Sequence, residues 1–216
     1  MSKSNAIVWS TAEHKVLDRL TSPYAIQSYL DHTPYSADPI YRSPRSVLRD
    51  RKAHCFDGAM FAAAALRRLG LPPLLVDLRS INDDDHVIAV YRWRRHWGAV
   101  AKSNCVGLRF REPIHRTLRE LVISYFDDYY NLSGEKTLRS YSRPVDLRRF
   151  DRIHWMTCDD RLDHIAARLD AVAHLPLVDA AMIKNLSPTD ERSYKAGLMG
   201  SRKAGLYVPK SFKGWD

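Results

Sequence analysis

The feature that most restricts the fold is the run HCFDGAMFAAAALRRLG at residues 54–70. Alanine and leucine lose least on entering a helix. Arg67 and Arg68 fall in what would be the last turn, and Gly70 supplies a stop. The run therefore predicts a helix starting near His54. Phe56, Met60, Ala63 and Ala64 fall at helical spacing, which predicts one apolar stripe facing a core. Gly58 sits inside the run at a cost of about 1 kcal/mol against alanine, and close packing of another backbone would account for it. Pro72 and Pro73 then break the chain, and the period changes.

Beyond the two prolines the chain reads as strand. LLVDL is a short buried strand, and a polar turn at Asn82, Asp83, Asp84 and Asp85 comes next. His86 opens the β-branched run HVIAVY, and Trp97 opens a second run, WGAVA. Arg94, Arg95 and His96 between them suit a hairpin connection, though without the Asn-Gly of a strong one. Upstream, prolines at 23, 34, 39 and 44 predict short helices and loops, after a polar lead with one short helix. Downstream of Pro113, Leu118, Leu121, Val122, Tyr125, Phe126 and Tyr129 form one helical face. Residues 132–157 read as irregular. Leu162, Ile165, Ala166, Leu169 and Val172 predict a further helix, capped by Thr157 or Asp159. A last helix and a basic, glycine-containing end come after Ser187. The fold class expected is α+β, as a single domain over 1–216. Within it, 1–50 is a helix and loop segment, 51–113 the core, and 114–216 a mainly helical elaboration.

Composition narrows the class. A chain of 216 residues buries roughly 70% of its unfolded surface and needs no crosslinks. Its three cysteines are too few for a disulfide framework and point to a reducing, cytoplasmic location. The longest apolar run, residues 59–66, falls far short of the roughly 20 residues that cross a bilayer. The N-terminal residues carry no apolar stretch of the kind that opens a secretory signal. The formal net charge of +9 is compatible with a nucleic-acid partner, and the densest knot, Arg92 to Trp97, mixes cations with aromatics. A solvated basic surface is the favoured reading, because the other Lys and Arg residues are scattered.

Cys55 is the residue that carries chemistry. It opens the strongest helix, where unpaired N–H groups and the positive end of the dipole favour thiolate over thiol. That placement predicts a pKa brought from about 8.5 to near or below neutrality. His54 is adjacent in sequence and cannot face it on a helix. His86, at the start of a later strand, can reach the sulfur as general base. Asp57 in the first helical turn suits the dipole and reads as structural. Asp83 to Asp85 lack the spaced ligands, glycine and closing Glu of a calcium loop. Cys105 and Cys158 read as packing residues. His164 and His174 are too far apart for a helical metal pair, so no metal is expected.

The segment SPRSVLRDRKAHCFDGAMFAAAALRRLGLPP, with DDDHVIAVYR and then HWGAVAKSN after it, resembles the core of transglutaminase-like proteins over roughly residues 24–113. In that family a Cys at a helix N-terminus is followed by Asp two residues on, matching Cys55 and Asp57. A His at a strand start matches His86, and a return strand with Trp matches Trp97 near the site. The resemblance implies a papain-like core in which the Cys helix packs on an antiparallel sheet. The short spacing from Cys55 to His86 separates it from papain-like proteases, whose His lies well over about 100 residues downstream. The family's return strand normally ends in an Asp that orients the His, and that position here is Ala101. Strand parity favours Ser103 as the substitute, and chemistry favours Asn104.

The function implied is a cysteine acyltransferase, amide hydrolase or protease that forms a thioester at Cys55. His86 protonates the leaving group, and the Cys55 N–H with another donor stabilises the oxyanion. No cofactor is implied. The partner expected is a protein, peptide or small amide or ester substrate, with no membrane. The alternatives are a catalytically silent binding module of the same fold and, less favoured, a nucleic-acid binder.

Overall fold

The computed structural model describes residues 9–214. Helix α4 (Cys55–Arg68) begins where the sequence places it, with His54 as its cap. The Asp57 N–H donates to His54 Nδ1 (3.4 Å) and the His54 N–H to Asp57 Oδ2 (3.2 Å), so a histidine and an aspartate make the reciprocal cap usually made by Ser/Thr and Glu. The helix ends at Gly70, which adopts φ 81°, with the Leu71 N–H closing on Leu66 O at 3.0 Å. Every residue of α4 from Phe56 to Leu66 is buried. The single apolar stripe is therefore an underestimate: a helix lined by alanine on all sides is enclosed on all sides.

Its enclosure comes from a sheet on one side and helices on the other. Helices α1 (Thr11–Leu17), α2 (Pro23–Asp31) and α3 (Pro44–Asp50) begin at Ser10, Ser22 and Ser43, whose side chains accept from backbone N–H groups. In α2 and α3 proline comes directly after the cap, at the position where its missing N–H costs nothing.

The sheet contains β1 (Leu74–Ser80), β2 (His86–Trp93), β3 (His96–Val100), β4 (Arg111–His115), β5 (Leu138–Ser142), β6 (Val145–Asp146) and β7 (His174–Pro176). Its order is β4-β3-β2-β1-β5-β7, with β6 also paired to β1, and the pairings are antiparallel. The β2–β3 hairpin turns on Arg94 (φ 45°) and Arg95 (φ 70°), two left-handed residues where glycine or asparagine is usual. On β2, Val87, Ala89 and Tyr91 join the core around α4, while Ile88 and Val90 join a second core with Leu121, Tyr125 and Tyr129. The sheet is thus covered on both faces, and the architecture is α+β.

Three expectations for the C-terminal half are corrected. Residues 132–157 are not irregular: they supply β5, β6 and a 3-10 helix, Leu147–Ile153. With β7 these strands tie residues 114–216 into the same sheet as the core, while most of the residues of that stretch in regular elements are helical. The helix after Pro113 is only α5 (Leu118–Ile123). Beyond it, Tyr125, Phe126, Asp128 and Tyr129 each donate three residues back, so the apolar period continues through tight turns. Helix α6 (Asp163–Ala171) has no side-chain cap. Asp159 instead accepts from the Ser43 N–H (2.7 Å) and Ser46 Oγ (2.8 Å), tying that loop to α3. Helices α7 (Ala180–Lys184) and α8 (Glu191–Gly197) and a short 3-10 turn, Lys203–Gly205, complete the elements among the described residues. Among the described residues, no helix is long and apolar enough to cross a membrane.

Candidate functional site

The start of α4 is held by charge. Arg42, whose side chain is 2% exposed, bonds Asp38, Asp50 and Ser36 and lies 3.5 Å from Asp57. The Arg42 N–H also donates to Asp57 Oδ1 at 2.7 Å. Asp57 is fully buried, and burial raises its pKa against the opposing pull of His54 and Arg42. It takes a structural place, anchoring the loop before α4 to the helix that carries Cys55. Arg42 has no helical or strand period to mark it, and sequence reasoning missed it.

Cys55 is half-buried and lines a cavity of about 290 Å³ at the end of the sheet. Its Sγ lies 3.9 Å from Asp85 O, and the Val87 and Phe56 N–H groups hydrogen-bond the sulfur. Those two donors favour thiolate, as the helix start predicts, but desolvation outweighs them. Burial, helped by the charges of Asp84 and Asp57, pushes the thiol up to about 11. The depressed pKa expected from the helix start is thus reversed.

His86, 5% exposed, lines the same cavity. Side chains alternate along β2, so His86 shares the Ile88 and Val90 face, opposite to α4. The cavity lies at the strand end, where residues from both faces can reach it. His86 Nε2 lies 2.9 Å from Leu108 O. A carbonyl only accepts, so Nε2 carries the proton and Nδ1 keeps its lone pair. Burial lowers the imidazole pKa to about 4, and nearby Arg111 adds to the fall.

Ser103 and Asn104 both line the cavity, but neither hydrogen-bonds His86. Strand β3 ends at Val100, so its parity does not extend to either residue. Ser103 Oγ accepts from the Cys105 N–H at 2.9 Å. Asn104 Nδ2 donates to Arg202 O (2.9 Å) and Gly205 O (3.0 Å), and its Oδ1 accepts from the Arg202 N–H (2.8 Å). The acceptor on His86 is the Leu108 main chain, for which no residue type gives a sequence signal.

Trp97 is not near the site. It pairs with Arg92, six residues along β2 from His86, a separation of about 20 Å at the rise of a strand. The Arg92 guanidinium lies 5.1 Å from the centre of the Trp97 ring, so this cation–aromatic contact is made within the hairpin.

The cavity also gathers groups that sequence reasoning set aside. Asp83, Asp84 and Asp85 line it from the β1–β2 turn. Asp83 accepts from Thr137 Oγ1 (2.8 Å), and Asp85 accepts from the Ser80 N–H (2.7 Å). Burial raises the Asp83 carboxyl to about 6. Cys105 stands on the same wall, its thiol pushed up to about 12 by burial. Tyr35 and Tyr129 complete the near walls, with Tyr129 Oη donating to Asp84 O at 2.7 Å. Among the described residues, no group of three or more His, Cys, Asp or Glu side chains is placed to hold a metal ion. No protein-family model matches the chain, and no curated protein sequence matches it.

Proposed function

We propose that the chain is a cysteine enzyme of transglutaminase-like type, acting on an amide or ester bond through a thioester at Cys55. The observation that carries this reading is that Cys55 and His86 line one cavity while the Leu108 carbonyl fixes the histidine tautomer. With Nε2 protonated, Nδ1 is the free base. It takes the thiol proton as Sγ adds to the substrate carbonyl carbon, and returns it to the departing amine or alcohol as the C–N or C–O bond breaks. Water or an amine then attacks the thioester carbon and releases the thiol. Both groups start neutral, so the proton must move during attack.

The raised thiol and lowered imidazole favour a second reading, a binding module without chemistry, because they oppose the ion pair that activates many catalytic cysteines. Acylation separates the two. With p-nitrophenyl acetate, the enzyme reading expects a hydroxylamine-labile acetyl group on Cys55, located by peptide mass spectrometry. It expects the rate of acetylation to fall at least a hundredfold in His86→Gln. Equal acetylation of Cys55, Cys105 and Cys158, unchanged by His86→Gln, establishes the binding module.

A further inference from the structure

Beyond α8 the chain turns back over the Cys55 cavity. Gly197 O accepts from the Val106 N–H at 2.9 Å, and Leu198, Gly205, Leu206 and Tyr207 form part of the cavity wall. Residues 202–205 make a single tight turn, closed by the Gly205 N–H on Arg202 O at 2.9 Å. Asn104 brackets that turn, and its three bonds all go to main-chain atoms of Arg202 and Gly205. Arg202 Nη1 also donates to Tyr35 O at 2.7 Å. A Cβ at Gly205 would lie 2.7 Å from Tyr35 Cε1 and 3.3 Å from Asn104 Nδ2, so a side chain there requires the ring to shift.

The attachment is largely polar, with Leu198 and Leu206 only half-buried. Among the described residues, neither core draws on anything beyond Leu177. Met199 and Val208 are largely exposed. A segment held by surface hydrogen bonds and little apolar burial opens at low cost. A second cavity, of about 450 Å³, is lined by Met199, Gly200 and Arg202 of the segment and shares Tyr35, Ser103, Asn104 and Cys105 with the first. The segment therefore lines two adjoining cavities, one of which holds Cys55. Its receptor contacts have the form of peptide recognition: one amide side chain reads the backbone, one carbonyl takes a cation, and one ring excludes a side chain.

We propose that Asn104 and Tyr35 form a peptide subsite beside Cys55, that the chain's own residues 202–205 occupy it, and that its ligand in trans is a polypeptide turn with a cationic residue first and glycine fourth. As a substrate subsite it rests on the acyl-transfer reading, whereas the binding itself does not require chemistry.

The test uses the full chain and a fluorescent peptide, SRKAGLYV, matching residues 201–208, with anisotropy as the readout. Gly205→Val expels the internal turn and is expected to bind the peptide at least tenfold tighter than the unaltered chain. Placing valine at the peptide's glycine, or adding Asn104→Ala to Gly205→Val, is expected to remove that gain. Arg202→Ala supplies a second way of loosening the turn should Gly205→Val fold poorly. Adding Cys55→Ala is expected to leave the affinity unchanged, so failure of the acylation experiment does not decide this one. Binding by neither loosened variant, or equal binding of the glycine and valine peptides, overturns the proposal.

Discussion

His86 Nε2 meets the Leu108 carbonyl at 2.9 Å in a buried setting, and this one contact sets the ring's tautomer. Burial then holds the imidazole neutral down to a pKa of about 4, against 6.5 when exposed. Between those values the unfolded chain binds the proton more readily, so stability falls as pH drops from about 6.5 to 4 and is fully present above that window. The difference amounts to about 3 kcal/mol. Urea unfolding at pH 7 and pH 4 measures it, and His86→Gln is expected to lose this component of the pH dependence. The carbon and nitrogen shifts of His86 are expected to stay constant from pH 8 to pH 5.

Cys55 is expected to alkylate slowly near neutrality. A thiol at about 11 has a thiolate fraction at pH 7 roughly 300-fold below that of an ordinary cysteine. Iodoacetamide labelling of Cys55, resolved by mass spectrometry, is expected to climb through pH 9 without a plateau. A plateau reached by pH 8 contradicts the burial of the sulfur.

Arg42 stands among three carboxylates with its side chain almost wholly covered. Truncating it strips the guanidinium from Asp38, Asp50 and buried Asp57, and leaves Asp57 only its bonds from the main chain of residue 42 and from His54. Arg42→Ala is expected to cost about 3–5 kcal/mol in urea unfolding. Because the same arginine fixes the loop before α4, Cys55 alkylation is expected to speed up in this variant even where the chain remains folded.

Gly58 tests a packing argument. A Cβ at that position would run into the Lys102 Cβ, and Lys102 is itself buried with Nζ donating to Leu30 O at 2.9 Å. Gly58→Ala gains about 1 kcal/mol of helix propensity, but overpacking costs about 1–3 kcal/mol. The expected outcome is a lower melting temperature, and a raised one contradicts the contact. The approach anticipated at this glycine thus comes from a lysine stem.

How much of the molecule is legible in its sequence depends on where the information lies. Helix α4 is readable because its alanines, its basic last turn and Gly70 agree, and β2 because its β-branched run is continuous. The strand β5, LRSYS, gives no such signal. It is short and half polar, and what makes it a strand is pairing with β1 on one side and β7 on the other, the kind of context that overrides propensity. Thr157 and Asp159 look like caps for α6, yet Asp159 is drawn to Ser43 and Ser46, far away in sequence. At the site, Cys55 and His86 are legible from residue type and order. Leu108 is not, because it contributes only its carbonyl. The contacts of Asn104 depend on residues almost a hundred positions later.

That Tyr141 of β5 pairs with Leu78 of β1 has a consequence for how the chain is made. During synthesis β1 and β2 emerge first, and β1 then presents a bare edge until the residues of β5 leave the ribosome. An unpaired edge is a template for pairing with other chains, and long-range pairing of this kind forms late. The interval between the two strands is therefore when the nascent chain is most exposed to self-association, and a stop after residue 113 would make that interval permanent.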